Sequence, residues 1–378
     1  MTDFPTYPEH LSPDFLTRVI AEQHPGTVVG AVQVLGAEGF GDTHVSTAAR
    51  VRLEVRYGAN PRSLPNRIFV KMPKTNDWPS RGVALPDGAR QRPPRTPLFE
   101  NEVNFYRHEA MNPEVAAAPT LGAIFDPPSG RFVLLLEDLA HGGAAFPSQY
   151  DTATWDHSEG LLAALARIHA AYWNSPRFPS DLGWLQSTAE GPVAACLHGP
   201  VQTSVRDELD KLKFKRELLG RIGLTPEALF ADLGRLQRHQ QRGVQTLIHG
   251  DAHFGNTYWM ADGSVGFFDW QLAARGSALQ DVSYLIVTAH SIDERRRRER
   301  DLLRIYREHL AAHGVTPLPS ADEIWLEYRR AMHWCVAIGW MPCPVEAYGW
   351  ELVVIANNRT TAAYEDLETA QALREVPA

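Results

Sequence analysis

The chain has 378 residues and a mass of 42.2 kDa, with a formal net charge of −8 at pH 7 and a sequence pI near 6.0. This length predicts a large core divided between two lobes, and the acidic balance argues against nucleic acid as the main partner. No apolar run approaches the roughly 20 residues that a membrane helix needs, and residues 1–10 lack the features of a signal peptide. We therefore expect a cytoplasmic protein without a membrane partner.

The first third of the chain predicts a β-rich region. Ser12 and Pro13 are typical of the beginning of a helix, and residues 32–55 indicate two strands around a glycine-bearing turn. Gly39 and Gly41 lie in that turn, where a backbone without side chains could approach nucleotide phosphates. An ordinary hairpin would use the same glycines, so both interpretations stay open.

Lys71 ends the next apolar run, at 68–70. A charged residue at the end of a buried strand is either a residue on the rim of the sheet or a cation that binds phosphates. The helix predicted at 98–110 offers Glu100 and Glu102 as partners for this lysine. Both glutamates could instead lie on a solvated helix face.

Residues 73–97, between Lys71 and that helix, are rich in proline, glycine and charged side chains. Such a composition does not hold a regular element, and a loop of this length is usually mobile or functional. Two interpretations remain: a flap over a binding site, or a disordered insertion.

Residues 123–139 predict a hairpin with a turn at 126–130 and a buried returning strand. A helical region follows, beginning with a core helix at 157–173. His169 lies on the apolar face of this helix, where we expect a hydrogen-bonded core residue rather than a ligand. The predicted division is a β-rich N-lobe at 1–138 and a C-lobe at 139–378.

The most informative stretch is residues 246–270. Its pattern predicts a short apolar strand, a polar loop, and two strands joined by a turn. The loop sets His249, Asp251 and Asn256 in the order H-x-D-x-x-x-x-N, and Asp269 ends the returning strand.

This arrangement fits the needs of phosphoryl transfer. The reaction requires a carboxylate near the attacking hydroxyl and oxygen ligands for Mg²⁺ at the nucleotide phosphates. Asp251 can accept the hydroxyl proton, while Asn256 and Asp269 can hold the metal. The stretch therefore predicts a kinase-like active site.

Two other interpretations of this stretch stay open. His249, Asp251 and His253 alternate as H-x-D-x-H, a pattern that a zinc-dependent or two-metal hydrolase could use. The loop could also be polar without any chemistry. Phosphoryl transfer is favoured because the alternatives leave the positions of Asn256 and Asp269 to coincidence.

These motifs resemble a known family. HGDAHFGN at 249–256 and GFFDW at 266–270 are similar to the signature pair of the aminoglycoside phosphotransferase and choline-kinase-like superfamily. LLLEDL at 134–139 is similar to its ecdysteroid-kinase-like branch. The resemblance implies a bilobal, protein-kinase-like α+β fold with an antiparallel β N-lobe and a mainly helical C-lobe. It also implies ATP and Mg²⁺ as cofactors and a hydroxyl of a small organic molecule as acceptor.

The resemblance implies roles for residues outside the signature pair. Lys71 would bind the nucleotide phosphates, with Glu102 as its partner because the phrase E-V-x-F-Y resembles the helix of the family. The backbone groups of Glu137 and Leu139 would bind adenine. Asp281 would brace the catalytic loop, although the simpler interpretation is that it caps the following helix.

The acceptor is less well indicated. Residues 325–350 are rich in aromatic side chains and Met, which are typical of a helix core but line the acceptor pocket in the resembled superfamily. The acidic residues of this region are spread out, which argues against a polycationic aminoglycoside. A nucleotide-binding pseudokinase without transfer activity is the second hypothesis. The presence of the lysine, the base and the metal ligands together favours an active enzyme.

Overall fold

The computed structural model describes residues 4–39, 48–74, 96–148 and 150–376. The chain divides into two compact units. The first comprises Met1–Pro113 and Ala117–Ala145, and the second comprises Glu114–Ala116 and Phe146–Ala378. Gly41 and most of the segment 73–97 lie outside the described ranges.

The first unit is built on one antiparallel sheet with the strand order β1-β2-β3-β5-β4. Its elements are α1 (Pro13–Gln23), β1 (Val28–Glu38), β2 (Ala49–Ala59), β3 (Arg67–Met72), α2 (Thr96–His108), β4 (Thr120–Asp126) and β5 (Arg131–Glu137). The hairpin predicted at 123–139 is the β4–β5 pair.

Local sequence patterns explain these elements. The Ser12 hydroxyl accepts a hydrogen bond from the Phe15 backbone N–H at 3.2 Å, which caps α1 where the sequence predicts its start. On β2, Val51, Leu53 and Val55 alternate with more exposed residues and are buried. Their period of two places one face of the strand against the core.

The second unit is mainly helical. Its helices are α3 (Trp155–Ala171), α4 (Gly191–Cys196), α5 (Gln202–Lys211), α6 (Lys213–Arg221), α7 (Pro226–Gln241), α8 (Ala278–Ala289), α9 (Ile292–Ala312), α10 (Ala321–Ile338), α11 (Val345–Tyr348), α12 (Trp350–Asp366) and α13 (Thr369–Arg374). Two short antiparallel pairs carry the central stretch: β6 (Thr246–Ile248) with β9 (Ala274–Gly276), and β7 (Thr257–Trp259) with β8 (Val265–Phe267). The predicted α+β class, with an antiparallel sheet followed by a mainly helical part, is confirmed.

Helix α8 lies at the centre of the second unit, and all of its residues are buried. It contacts α3, α10, α12 and β6. A helix buried on every side must find partners for its polar groups within the protein. Its Asp281 lies 3.3 Å from His169 Nε2, and the other ring nitrogen of His169 lies 2.8 Å from the Tyr306 hydroxyl. His169 is therefore a hydrogen-bonded core residue, as the sequence predicts.

In the described part of the chain, we find no helix that combines the length and the apolar character needed to cross a bilayer.

His290 follows α8 and makes the stability of this core depend on pH. Its side chain is buried, with Nε2 3.1 Å from the Ser158 hydroxyl oxygen. Burial lowers the pKa of His290 from 6.5 to about 4; Arg298 and Arg359 also lower this pKa, and Glu294 opposes them. In the unfolded chain the imidazole takes up a proton below about pH 6.5, whereas in the folded protein it stays neutral down to about pH 4. The free energy of unfolding should therefore fall as the pH drops through this window.

We expect His290→Gln to flatten this decline. Between pH 7 and pH 4.5, the difference in unfolding free energy between the wild type and the variant should shrink by roughly 2 to 3 kcal/mol. Urea denaturation at both pH values measures this difference, and His313→Gln at an exposed position serves as the control. A difference that is the same at both pH values would contradict the buried neutral imidazole.

Candidate functional site

The candidate catalytic loop begins at the end of β6. All three residues of this strand are buried, and the Thr246 hydroxyl donates to the backbone carbonyl of His169 on α3 at 2.8 Å. The first residue of the loop therefore follows a strand that is fixed in the core of the second unit.

Asp281 on α8 holds the first residues of this loop. The backbone N–H groups of His249 and Gly250 donate to its two carboxylate oxygens at 2.6 and 2.9 Å. The alternative interpretation, that Asp281 caps its own helix, is wrong: the N-cap of α8 is Ser277. The carboxylate is used to brace the loop, as the resemblance implies.

The imidazole of His249 ties the loop to the strand that carries Asp269. This side chain is fully buried. Its Nδ1 accepts a hydrogen bond from the Asp251 backbone N–H at 3.2 Å, and its Nε2 donates to the Phe268 carbonyl at 3.0 Å. Both ring nitrogens form hydrogen bonds with the backbone of the site, so His249 positions the loop. Neither nitrogen is left to bind a metal.

Gly250 is required by the backbone at this point. Its φ is +79°, a region that other residues rarely adopt. A Cβ atom here would also collide with the backbone carbonyl oxygen of Leu272. The bend at Gly250 therefore sets the direction in which the chain enters Asp251.

Asp251 and Asn256 are in direct contact. The Asn256 side-chain N–H₂ donates to the backbone carbonyl of Asp251 at 3.0 Å and lies 3.3 Å from its carboxylate Oδ2. This contact orients the carboxylate, and the amide oxygen of Asn256 is an atom that could hold a cation.

Asp269 lies next to Asn256 because β7 and β8 form a hairpin, as predicted. The backbone N–H of Phe268 donates to the Asn256 carbonyl at 3.0 Å, and Asp269 is the next residue. Asp269 itself has a left-handed backbone, with φ +66°. This conformation is uncommon outside glycine, is tolerated by Asp and Asn, and is concentrated at functional sites.

The two carboxylates act electrostatically on one group of neighbouring rings. Burial raises the pKa of the Tyr284 hydroxyl well above 10, and the charge of Asp251 raises it further. Burial and His249 lower the pKa of His253 to about 4, against the opposing effect of Asp269. The His253 and Tyr284 rings meet edge to face with their centroids 5.9 Å apart. Within the second unit, Asp251 and Asp269 therefore act on the same local environment.

An open cavity lies against this loop, and its empty space of about 290 Å³ includes part of the surrounding solvent. Its lining includes His253, Phe254, Thr288, Trp340, Leu352 and Arg359. Of the aromatic stretch at 325–350, Tyr328 and Trp334 are buried in the core, whereas Trp340 contributes to the cavity wall. Sequence reasoning identified Trp340 only as part of this stretch and missed Arg359.

In the first unit, Lys71 on β3 and Glu102 on α2 form a buried ion pair. The lysine Nζ lies 2.9 and 2.7 Å from the two carboxylate oxygens, and the residues are 7% and 1% exposed. Phe99 of the same helix stacks on Phe132 of β5 with ring centroids 4.6 Å apart. This packing fixes the helix that carries the glutamate.

Three of the remaining predicted nucleotide-binding residues, Gly39, Glu137 and Leu139, lie at or just beyond strand ends of the first unit. Gly39 has a φ of +87°, and a Cβ atom there would lie 2.8 Å from Ala49 Cα, so the turn after β1 requires glycine. Gly41 falls outside the described residues. Glu137 ends β5, and its carbonyl accepts a hydrogen bond from the Leu139 N–H at 3.0 Å. The two residues implied to bind adenine therefore hydrogen-bond to each other, and their role remains a prediction.

The comparisons with known proteins agree with the predicted resemblance. Residues 194–315 match the model of the ecdysteroid kinase-like family, which confirms the resemblance for the part of the chain that contains the catalytic loop. No curated protein matches the chain in sequence.

Three solved structures of phosphotransferases match this chain to different extents. An ethanolamine kinase from Plasmodium vivax superposes with a TM-score of 0.50 at 10% identity, covering 88% of this chain and 81% of that chain. A spectinomycin phosphotransferase in complex with ADP and spectinomycin gives a TM-score of 0.45 at 12% identity, over 98% of this chain and 99% of that one. A choline kinase from Streptococcus pneumoniae gives 0.38 at 12% identity, over 90% and 94%. The likeness to the ethanolamine kinase supports the predicted fold.

We expect Gly250→Ala to be far more damaging than the same change at Gly263. Both glycines have a positive φ, but a Cβ atom at Gly263 meets nothing within 4 Å. Gly263→Ala should cost about 1 kcal/mol of stability through backbone strain alone, and Gly250→Ala about 1 to 3 kcal/mol more because of the collision with Leu272. Denaturant unfolding of both variants measures this difference, and equal costs would contradict the constrained bend.

Proposed function

We propose that the protein is an ATP- and Mg²⁺-dependent kinase that transfers the γ-phosphate to a hydroxyl group of a small organic acceptor. The observation that carries this proposal is the loop geometry, in which Asp251 contacts Asn256 and Asp269 lies next to Asn256. The family match at 194–315 and the kinase-like fold support it.

In the proposed reaction, the acceptor hydroxyl oxygen attacks the γ-phosphorus of ATP. A new oxygen–phosphorus bond forms while the bond from the γ-phosphorus to the β–γ bridging oxygen breaks. Asp251 orients the hydroxyl and takes its proton, which later passes to solvent. The products are ADP and a phosphate monoester of the acceptor.

Asn256 and Asp269 suit a Mg²⁺ site. Mg²⁺ prefers oxygen ligands and commonly uses one or two protein side chains together with phosphate oxygens and water, so an amide oxygen and a carboxylate are sufficient. The bound ion would neutralise charge on the β- and γ-phosphates. The left-handed backbone of Asp269 is consistent with this role, because strained residues are concentrated at functional sites.

Lys71 is proposed to bind the nucleotide phosphates, positioned by Glu102. Two charges removed from water gain little net stability from each other, so the buried pair on β3 and α2 is better explained by function than by stability. Residues Gly39, Gly41, Glu137 and Leu139 would contribute backbone contacts to the nucleotide.

The hydrolase alternative is less well supported. It requires His249, Asp251 and His253 as metal ligands, and both ring nitrogens of His249 are already bonded to the backbone. Across the residues that the structure describes, no group of three or more His, Cys, Asp or Glu side chains could hold a metal. A measurement of phosphoryl transfer distinguishes the active kinase from the pseudokinase alternative.

We expect Asp251→Asn to lower phosphoryl transfer by at least about 100-fold, because the amide cannot take the hydroxyl proton. Mg²⁺-ATP binding should change by no more than a few-fold. ADP release in the presence of hydroxylated metabolites, sterols and amino alcohols measures transfer, and calorimetry measures nucleotide binding.

Asp262→Asn is the matched control, because Asp262 is an exposed aspartate in the turn between β7 and β8. Its activity should equal that of the wild type. An Asp251→Asn variant with full activity would refute the assignment, whereas a wild type that binds Mg²⁺-ATP but transfers nothing would support the pseudokinase.

A further inference from the structure

Arg359 on α12 lines the cavity beside the catalytic loop. One of its terminal nitrogens, Nη1, donates to the backbone carbonyl of Thr288 on α8 at 2.6 Å. This bond fixes the guanidinium against the buried helix and uses one of its five N–H donors. The side chain is partly buried, and a guanidinium keeps its positive charge at neutral pH.

Within the described ranges, no carboxylate forms an ion pair with Arg359. Burial lowers the pKa of Arg359, and the charge of Glu294 at the start of α9 opposes this shift. The Glu294 carboxylate lies 3.2 Å from the Ser291 hydroxyl at the cap of its own helix. The guanidinium of Arg359 is therefore a cation at the cavity wall, and its hydrogen bond within the protein goes to a neutral carbonyl oxygen.

The remainder of the cavity lining favours an apolar ligand. Phe254, Trp340 and Leu352 supply apolar surface, and no carboxylate is present among the lining residues. A positive charge in apolar surroundings loses hydration that a neutral carbonyl replaces only in part. A bound oxyanion would restore that interaction through charge-assisted hydrogen bonds, whereas a cationic ligand would meet repulsion from a like charge.

The cavity lies beside the loop that carries the proposed base, Asp251. His253, which lines the cavity, donates its backbone N–H to the Asp251 carbonyl at 2.8 Å. A ligand in the cavity therefore contacts the loop that carries Asp251, the residue proposed to take the hydroxyl proton.

We infer that the acceptor is an apolar alcohol that carries one oxyanion, such as a hydroxy acid, and that Arg359 binds this anion. The inference rests on the proposed kinase function and names its acceptor class. It excludes small cationic amino alcohols as preferred acceptors.

A matched set of compounds tests this inference. The probes are ω-hydroxyalkanoates, α,ω-diols and ω-amino alcohols with six, eight and ten carbons, which share one hydroxyl and differ in the charge at the other end. For at least one chain length, calorimetry in the presence of Mg²⁺-ADP should show the hydroxy acid binding at least tenfold more tightly than the diol. The amino alcohol should bind most weakly.

Two variants of Arg359 assign the preference to this side chain. Arg359→Met should reduce the ratio of hydroxy acid to diol affinity to near one, while Arg359→Lys should retain part of it. Arg242→Met, at an exposed position that does not line the cavity, should behave like the wild type. Circular dichroism confirms that each variant is folded before its binding is measured.

Equal affinities for the three head groups, no binding of any probe, or a preference that survives in Arg359→Met would overturn the inference. Measurements of ADP release distinguish a failure of this inference from a failure of the proposed kinase function. Transfer to diols or amino alcohols as efficient as transfer to the hydroxy acids would refute the anion preference and keep the kinase. Arg359-dependent binding of hydroxy acids without any ADP release would support the anion site and refute transfer.

Discussion

The carboxylate of Asp281 and its hydrogen bonds to two backbone N–H groups of the loop are the interaction on which the candidate site depends. A buried charge is stable only when it is paired or hydrogen-bonded, and this carboxylate meets that need with His249, Gly250 and the ring of His169. One side chain thereby connects α8, α3 and the loop after β6. The loop adopts this conformation because the buried Asp281 carboxylate needs hydrogen-bond donors, and the loop backbone supplies them.

Two further residues, Gly250 and His249, fix the position of the residues that are proposed to react. The bend at Gly250 admits no side chain, and His249 bonds to the backbone of both Asp251 and Phe268. The proposed base and the proposed metal ligands are therefore held by backbone contacts before any substrate binds. Such preorganisation is a large part of how enzymes stabilise a transition state. On the proposed function, it would let Asp251 act without a costly rearrangement.

Patterns that are local in the sequence predicted much of this structure. The capped start of α1, the alternation in β2 and the hairpin that brings Asp269 to Asn256 all follow from neighbouring residues. Features that depend on distant partners were harder to predict from the residues alone. For Asp281, the residue pattern favoured a helix cap, and only the resemblance implied the bracing role, because its loop partners lie about 30 residues away. Arg359 gave no signal at all, since a single arginine on a helix acquires meaning only from the cavity beside it.

The proposed function requires that Lys71, Asp251, Asn256 and Asp269 all act on one bound nucleotide. A crystal structure with Mg²⁺ and a non-hydrolysable ATP analogue is the decisive measurement. We expect a metal ion bound by the Asn256 amide oxygen and the Asp269 carboxylate, with Lys71 Nζ on the phosphates and the Asp251 carboxylate facing the γ-phosphate. A nucleotide bound away from Asn256 and Asp269, or one that leaves Lys71 without a phosphate contact, would contradict it.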